Sequence, residues 1–179
     1  MTFLTRLPTA TFDQSGRSRH QDVMSLFPAV LPGAEDQRRS TSGILFAVHG
    51  ETTVIRSTVR PSRDVPGLST TVEATAPAAG RRVHFTVTLN AVHRRRGGGV
   101  NPVADVATWF AEKVDGALED LDIARHTLEQ THSGRSTVKI DTLTGTGTVT
   151  DQALLTDLLK RGIGRAKSYG AGLLLVKAA

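Results

Sequence analysis

Residues 82–89 (RVHFTVTL) carry the most regular alternation of apolar and polar side chains along the chain. Val83, Phe85, Val87 and Leu89 alternate there with polar residues. Because successive side chains of a strand point to opposite faces of a sheet, this spacing predicts a half-buried β-strand. Such a strand belongs to a sheet with one covered face, and the other elements are predicted around it.

The second half of the chain shows a regular succession of helix and strand patterns. We predict a helix, two strands, a helix and a strand, in that order: Pro102 to Leu118, Ile123–Thr131, Thr137–Val149, Asp151 to Arg161 and the final LLLVK. The second helix places its leucines on one face, with Thr150 or Asp151 as N-cap. With a strand before Pro102, the order becomes βαββαβ, that of a ferredoxin-like domain.

The first half fits the same plan with a weak second helix. Its predicted elements are a strand at Phe3, Leu4 and Leu7, a helix in RHQDVMSLF, hairpin strands in GILFAVHG and TTVIRSTV, a further strand in TTVEATA, and residues 82–89. The run HRRRGGGVNP interrupts this order, and we place the domain boundary in it. The sequence therefore predicts an α+β fold of two tandem ferredoxin-like (RRM-like) βαββαβ domains, residues 1–97 and 98–179.

Composition narrows the classes of function. The net charge is +5, and the segment from Lys160 to the C-terminus contains five basic residues and no acidic one, which favours a polyanionic partner. Cysteine is absent, which excludes disulfides and thiolate metal sites, and the six histidines show no metal-ligand spacing with carboxylates. No run approaches the ~18 apolar residues of a membrane span, so we expect a cytoplasmic protein with no membrane partner.

The segment Gly162 to Gly172 (GIGRAKSYGAG) is the most informative part of the chain. Its four glycines let the backbone turn tightly and approach a ligand closely. Amides exposed in such a turn bind phosphates, and Arg165 and Lys167 add positive charge. Taken alone, the pattern fits a nucleotide loop, an RNA clamp or a structural turn. It does not match the G-x-x-x-x-G-K-[ST] pattern of a P-loop, which argues against NTP hydrolysis.

Three segments carry a resemblance to a known family. RGIGRAKSYGAGLLLV resembles the glycine-rich signature of the CasE family, the crRNA-processing endoribonucleases of the type I-E Cascade complex. His20-Gln21, followed by LFP at 26–28, is similar to the family's histidine shortly before an LFP. FTVTLNAV before basic residues is similar to the family's strand that ends in an Ala-Asn-Pro turn. Together these segments span nearly the whole chain in the family's order.

The resemblance implies both an activity and a set of partners. It implies two ferredoxin-like domains and an endoribonuclease that cleaves CRISPR repeat RNA at its stem-loop by attack of the RNA 2′-hydroxyl, with no metal and no cofactor. It also implies that the protein keeps the product hairpin within Cascade, so that its partners are crRNA and the other Cascade subunits. The alternative is a catalytically inactive crRNA-binding subunit of Cascade.

Two residues are candidates for catalysis. His20 is the expected general acid or base, because imidazole titrates near working pH. We expect it in the first turn of its helix, where the helix dipole favours neutral imidazole. The spacing alone also allows His20 to complete a core edge with Met24 and Phe27. Relatives often have a tyrosine three residues before the histidine, where this chain has Arg17, which could stabilise a charged phosphorane.

The candidate RNA-binding residues lie in three basic segments. Arg94 and Arg95 belong to the expected connector between the two halves, either as an RNA clamp or as a solubilising linker. Arg135 and Lys139 belong to a predicted hairpin that could reach into a groove of an RNA stem. The others are Lys160, Arg161, Gly162, Gly164, Arg165, Lys167 and Ser168. Tyr169 either stacks on a base or packs against the preceding helix.

Overall fold

The structure is a computed structural model that describes residues 1–12, 16–31, 41–95, 97–133 and 136–179. Its strands are β1 (Phe3–Pro8), β2 (Leu45–His49), β3 (Thr52–Ser57), β4 (Ser69–Val72), β5 (Arg82–Leu89), β6 (Val92–Arg94), β7 (Val100–Pro102), β8 (Leu118–Ser133), β9 (Ser136–Val149) and β10 (Leu174–Ala178). Its helices include α1 (Gly16–Ser25), α2 (Val106–Val114) and α3 (Gln152–Arg161), with short 3₁₀ turns at Thr9–Thr11 and Lys167–Tyr169. Within the described ranges, no helix is long and apolar enough to cross a membrane.

The first sheet has the strand order β2-β3-β1-β4 and is antiparallel throughout. Helix α1 connects β1 to β2, and a hairpin joins β2 to β3. Residues 58–68, all of them described, connect β3 to β4 without a helix. The strand order is that of a ferredoxin-like domain, with a loop in residues 58–68 where the sequence predicted a weak second helix.

The second sheet has the order β10-β5-β9-β8 and is also antiparallel. Along the chain its elements run β5, α2, β8, β9, α3 and β10, with the small hairpin β6–β7 inserted between β5 and α2. This is a complete βαββαβ unit. The predicted α+β fold with two ferredoxin-like units is therefore confirmed.

The βαββαβ order predicted for the second unit needs a strand before Pro102. That strand is β5, which carries the regular alternation of apolar and polar residues. Residue 97 consequently does not separate the two sheets, since it lies in the β6–β7 hairpin, inside the second unit. The run of arginine and glycine has the composition of a linker, but its ends pair as two strands, with Val92 opposite Pro102. We propose that the domain boundary lies between Val72 and Arg82.

Among the described residues, the buried hydrophobic side chains form three clusters. One fills the space between the second sheet and helices α2 and α3, around Phe85, Phe110 and Leu155. Another packs α1 onto the first sheet, and the third joins Leu45, Ala47 and Val54 of the first sheet to Leu173, immediately before β10. Apolar contact therefore continues from one sheet to the other.

The N-cap of α3 is Asp151, one of the two predicted candidates. Its carboxylate accepts hydrogen bonds from the amides of Ala153 at 2.7 Å and Leu154 at 2.9 Å. Two of the donors that a helix N-terminus leaves unpaired are thus satisfied. The cap fixes where α3 begins, and the buried Leu155, Leu158 and Leu159 then hold it against the second sheet.

Candidate functional site

The fold brings together the two segments that carried the strongest functional signals. Helix α1, which contains His20, packs against the 3₁₀ turn Lys167–Tyr169 of the glycine-rich loop and against β8. These segments lie near opposite ends of the chain, so their contact is a product of the tertiary fold. The candidate general acid or base and the candidate phosphate loop are therefore neighbours.

His20 is the fifth residue of α1, and its side chain is half-buried. The expected position in the first turn is wrong, because the helix begins at Gly16 rather than near Arg19. The dipole effect falls off within the first turn, so it has less influence on His20 than expected. Arg17 lies in that first turn, three residues before His20, and its side chain lies outside the described part of the structure.

The backbone of the glycine-rich loop, Gly162–Gly172, is closed on itself and attached to β5. The amide of Gly162 donates to the carbonyl of Leu158 at 2.9 Å and so ends α3. The amide of Ile163 donates to the carbonyl of Gly172 at 2.9 Å, which closes the base of the loop. The amide of Gly172 donates to the carbonyl of Thr88 at 2.6 Å. The loop therefore has a fixed shape before any ligand binds.

Two of the predicted RNA-binding positions are glycine because the backbone is crowded there. A Cβ on Gly162 would lie 2.7 Å from the carbonyl oxygen of Gly172, and a Cβ on Gly164 would lie 3.0 Å from the ring of Trp109. Both residues also have a positive φ, +70° and +77°. The glycines thus serve the shape of the loop itself, whatever it binds.

The outer part of the loop presents amides that are suited to an anion. Gly164 and Arg165 are exposed, and Ala166 has the left-handed backbone φ of 54°. Within the described ranges, the amides of Gly164, Arg165 and Ala166 donate to no backbone carbonyl. Successive amides beside a left-handed residue form the concave nest that binds phosphates. The exposed guanidinium of Arg165 adds a full positive charge.

The other cations of this segment have contacts within the protein. The ammonium of Lys167 donates to the carbonyl of Arg161 at 2.5 Å, at the C-terminal end of α3. Arg161 forms an exposed ion pair with Asp157 at 3.1 Å. Lys160 is exposed at the same helix end, and Ser168 is half-buried within the 3₁₀ turn. These positive charges complement the negative end of the α3 dipole, so their role is at least partly structural.

Asn90 lies just before the inserted hairpin β6–β7 and contacts the outer half of the β8–β9 hairpin. The side-chain amide of Asn90 donates to the carbonyl of Lys139 at 2.8 Å. The backbone carbonyl oxygen of Asn90 lies 3.5 Å from the position of a Cβ on Gly164. The side chains of Arg94, Arg95 and Lys139 are exposed. Arg135 lies outside the described residues. The glycine-rich loop, the β6–β7 hairpin and β9 therefore meet at one end of the second sheet.

The sequence did not single out Arg19, which lies beside His20 on α1. Arg19 lines a cavity of about 210 Å³ together with Tyr169 and Gly170 of the loop and with Glu129 and Gln130 of β8. Its Nε is buried and has no hydrogen-bond partner within the described ranges. Adjacency to His20 was the one available signal, and it does not reveal which helix face meets the loop.

Among the described residues, no group of three or more His, Cys, Asp or Glu side chains is arranged to hold a metal ion. His126 and Asp141 form a cross-strand pair, with Nε2 and Oδ1 2.7 Å apart, on the second sheet. His49 and Glu129 line a cavity between the sheets with a volume of about 450 Å³. The sequence predicted neither arrangement, because each pair is separated along the chain.

This architecture matches a known protein family and several solved structures. The family model described as CRISPR associated protein matches residues 4–178. No curated protein matches the sequence.

Solved structures with the same fold cover both chains nearly completely. One is the CRISPR endoribonuclease Cse3 bound to a 19-nucleotide RNA, with 17% identity, a TM-score of 0.76, and coverage of 99% of this chain and 100% of that chain. Another is the CRISPR-associated protein Cas6e from Escherichia coli K-12, with 18% identity, a TM-score of 0.71 and full coverage of both chains. A chain of a CRISPR RNA-guided surveillance complex has 15% identity, a TM-score of 0.72 and full coverage of both chains.

Proposed function

We propose, from the premise that this chain belongs to the CRISPR associated protein family, that it is a metal-independent endoribonuclease which cleaves CRISPR repeat RNA at its stem-loop. The observation that carries the proposal is the packing of the His20 helix against the glycine-rich loop. A proton-transfer group and a phosphate-binding loop in contact are what phosphodiester cleavage by an internal nucleophile needs. The neighbouring structures of an endoribonuclease bound to RNA support the same activity.

The reaction requires no group beyond the RNA and the protein. The 2′-hydroxyl oxygen of the RNA attacks the adjacent phosphorus, the bond from phosphorus to the 5′ oxygen breaks, and a 2′,3′-cyclic phosphate and a 5′-hydroxyl result. His20 moves a proton, either from the attacking hydroxyl or to the leaving oxygen. The amides of Gly164, Arg165 and Ala166, with Arg165 and Arg17, stabilise the charge on the phosphorane.

Basic residues of the predicted RNA-binding segments bind the stem in this proposal. Arg94, Arg95, Lys139 and Arg135 contact phosphates, since a protein meets an RNA helix mainly through its backbone and shape. Lys160, Arg161, Lys167 and Ser168 extend the same binding surface around the glycine-rich loop.

The proposal includes the other Cascade subunits as partners, and it is supported by the fold shared with a chain of a surveillance complex. After cleavage the protein keeps the product hairpin and joins that assembly in the cytoplasm. Binding and cleavage are therefore separable properties of this chain.

A catalytically inactive crRNA-binding subunit is the second candidate. The observation that favours it is Arg17, which stands where relatives often have a tyrosine that could share in proton transfer. The surface described for RNA binding is the same in both cases. The two candidates differ in whether His20 and Arg17 support bond cleavage.

The deciding experiment is cleavage of the repeat RNA from the organism's own CRISPR array in the presence of EDTA. We expect the native protein to cut and His20→Ala to lose roughly 10²–10⁴-fold in rate while it still binds, which is the usual contribution of a general acid or base. His84→Ala is the matched control, because His84 is exposed on β5. Binding without cleavage by any of the three proteins would establish the inactive subunit instead.

A further inference from the structure

We propose that Arg56, which no motif of the sequence singled out, is a positioning residue that sets the shape of the glycine-rich loop for RNA binding. The proposal rests on the proposed function, because the loop is taken to hold the RNA. Arg56 lies on β3 of the first sheet, whereas the loop belongs to the second unit. The inference is that one sheet fixes the binding loop of the other.

The guanidinium of Arg56 is buried and makes four hydrogen bonds. The side chain is 1% exposed. Its Nε donates to Oε2 of Glu73 at 2.7 Å and its Nη2 donates to Oε1 of the same carboxylate at 2.5 Å. Its Nη1 donates to the carbonyl of Leu159 at 3.0 Å and to the carbonyl of Leu174 at 2.6 Å. The carboxylate neutralises the charge, and the remaining edge of the guanidinium is directed at two backbone oxygens.

Those two backbone oxygens lie at the two ends of the glycine-rich loop. Leu159 is three residues before Gly162, in the last turn of α3, and Leu174 is two residues after Gly172, at the start of β10. Because one nitrogen binds both carbonyls, it fixes the distance between the end of the helix and the start of the strand. The loop spans that distance, so its conformation depends on Arg56.

The contact also completes the C-terminal cap of α3. The last carbonyls of a helix have no partner within the helix. Here the carbonyl of Leu158 accepts from the amide of Gly162, that of Arg161 accepts from Lys167, and that of Leu159 accepts from Arg56. Two of the three donors belong to the loop itself, and the third comes from the first sheet.

The first sheet supports the middle of the loop as well as its ends. The methyl groups of Leu45 lie 2.8 Å and 3.0 Å from the position of a Cβ on Gly162. The ring of Phe46 lies 3.1 Å from the position of a Cβ on Gly170. The loop therefore rests on β2 while Arg56 of β3 holds its base. A buried ion pair is by itself a poor source of stability compared with apolar packing. The directed hydrogen bonds give Arg56 a geometric role that an apolar side chain would not have.

The test compares Arg56→Lys and Arg56→Met with two controls. Lysine keeps the charge without the planar fork, and methionine fills the space without any donor. Glu73→Gln alters the ion pair but leaves both backbone contacts of Arg56 possible. Val83→Ala removes volume at a fully buried site of β5, at the end of that strand distant from Thr88, to which the loop is attached.

Two quantities are measured well below the unfolding temperature of each variant. The first is hydrogen exchange of the Ile163 and Gly172 amides, which needs no RNA. The second is the affinity for the repeat hairpin RNA with 2′-O-methyl groups outside the stem, which prevents cleavage. We expect both Arg56 variants to exchange these amides faster and to bind about tenfold more weakly, as for a loop correctly placed about one tenth of the time. Both controls should keep native exchange and affinity.

The outcomes separate this proposal from the proposed function. A folded Arg56 variant with the native rate of hydrogen exchange in the loop and the native RNA affinity would overturn the positioning role. A loss of RNA affinity that simply follows the loss of thermal stability across all four variants would overturn it as well. If neither Arg56 variant folds, Arg56 is a determinant of folding and the positioning role is rejected. If native protein fails to bind the RNA while the Arg56 variants still loosen the loop, the proposed function fails and the structural role of Arg56 stands.

Discussion

At the scale of single residues, His49 shows how burial between the two sheets affects an ionisable group. It is the last residue of β2, half-buried, and its Nε2 has no hydrogen-bond partner within the described part of the chain. Burial lowers the pKa of His49, and the nearby carboxylate of Glu129 offsets this in part by raising it. Desolvation therefore dominates, and the folded protein favours the neutral imidazole.

The lowered pKa of His49 predicts a loss of stability in acid. The unfolded chain binds the proton more readily, so stability is fully present above the ordinary histidine pKa of about 6.5 and is lost as pH falls below it toward the folded pKa. We expect His49→Gln to unfold at a temperature that depends less on pH between 7.5 and 5 than that of the native protein. Thermal unfolding at both pH values measures this, with the exposed His84→Gln as control. An unchanged pH dependence in His49→Gln would contradict the prediction.

At the scale of elements, the glycine-rich loop that links α3 to β10 begins at a residue whose backbone conformation only glycine tolerates. Gly162 has φ 70° and ψ 168°, a region that other residues essentially never occupy. A Cβ there would also lie 2.7 Å from the carbonyl oxygen of Gly172, which closes the base of the loop. The backbone strain at Gly162 and the close contact with Gly172 therefore both affect the hydrogen bond between Ile163 and Gly172.

We therefore expect Gly162→Ala to disrupt the loop as well as to reduce stability. The backbone strain alone costs about 1–3 kcal/mol of unfolding free energy, and the displaced base of the loop should weaken binding of the repeat hairpin RNA. Gly80→Ala is the matched control, because Gly80 has φ +80° but no atom within 4 Å of an added Cβ. Urea denaturation measures the free energy of unfolding of both variants, and RNA titration measures their affinity for the repeat hairpin. Equal RNA affinity of Gly162→Ala and native protein would contradict a role of the loop geometry in binding.

Local patterns predict elements better than they predict partners. The alternation in β5 and the leucine face of α3 reveal a strand and a helix, because burial imposes their period. The alternation does not reveal that β5 pairs with β9 and β10 in the second sheet. Arg56 in TTVIRSTV reads as a polar strand residue, since backbone carbonyls such as that of Leu159 leave no mark on the sequence. The contact of α1 with the loop likewise depends on packing across both units.

At the scale of the whole molecule, the two ferredoxin-like units are joined by more than a connecting segment. Leu45, Ala47 and Val54 of the first sheet form one buried cluster with Leu173. Arg56 adds hydrogen bonds from the first sheet to α3 and β10. Unfolding either unit alone would expose this apolar surface and break both hydrogen bonds from Arg56 to the second unit, so each unit stabilises the other.

We therefore expect the native protein to unfold in one cooperative transition. The single tryptophan, Trp109, is buried in α2 and reports on the second unit, whereas far-UV circular dichroism reports on both. Urea midpoints from the two probes should coincide for the native protein and for Val83→Ala. In Arg56→Met the carbonyls of Leu159 and Leu174 lose their shared donor, so the link between the units weakens and the two midpoints should move apart. Separate transitions in the native protein would show that the two sheets are stable independently, and the coupling of the glycine-rich loop to the first sheet would then lack its energetic basis.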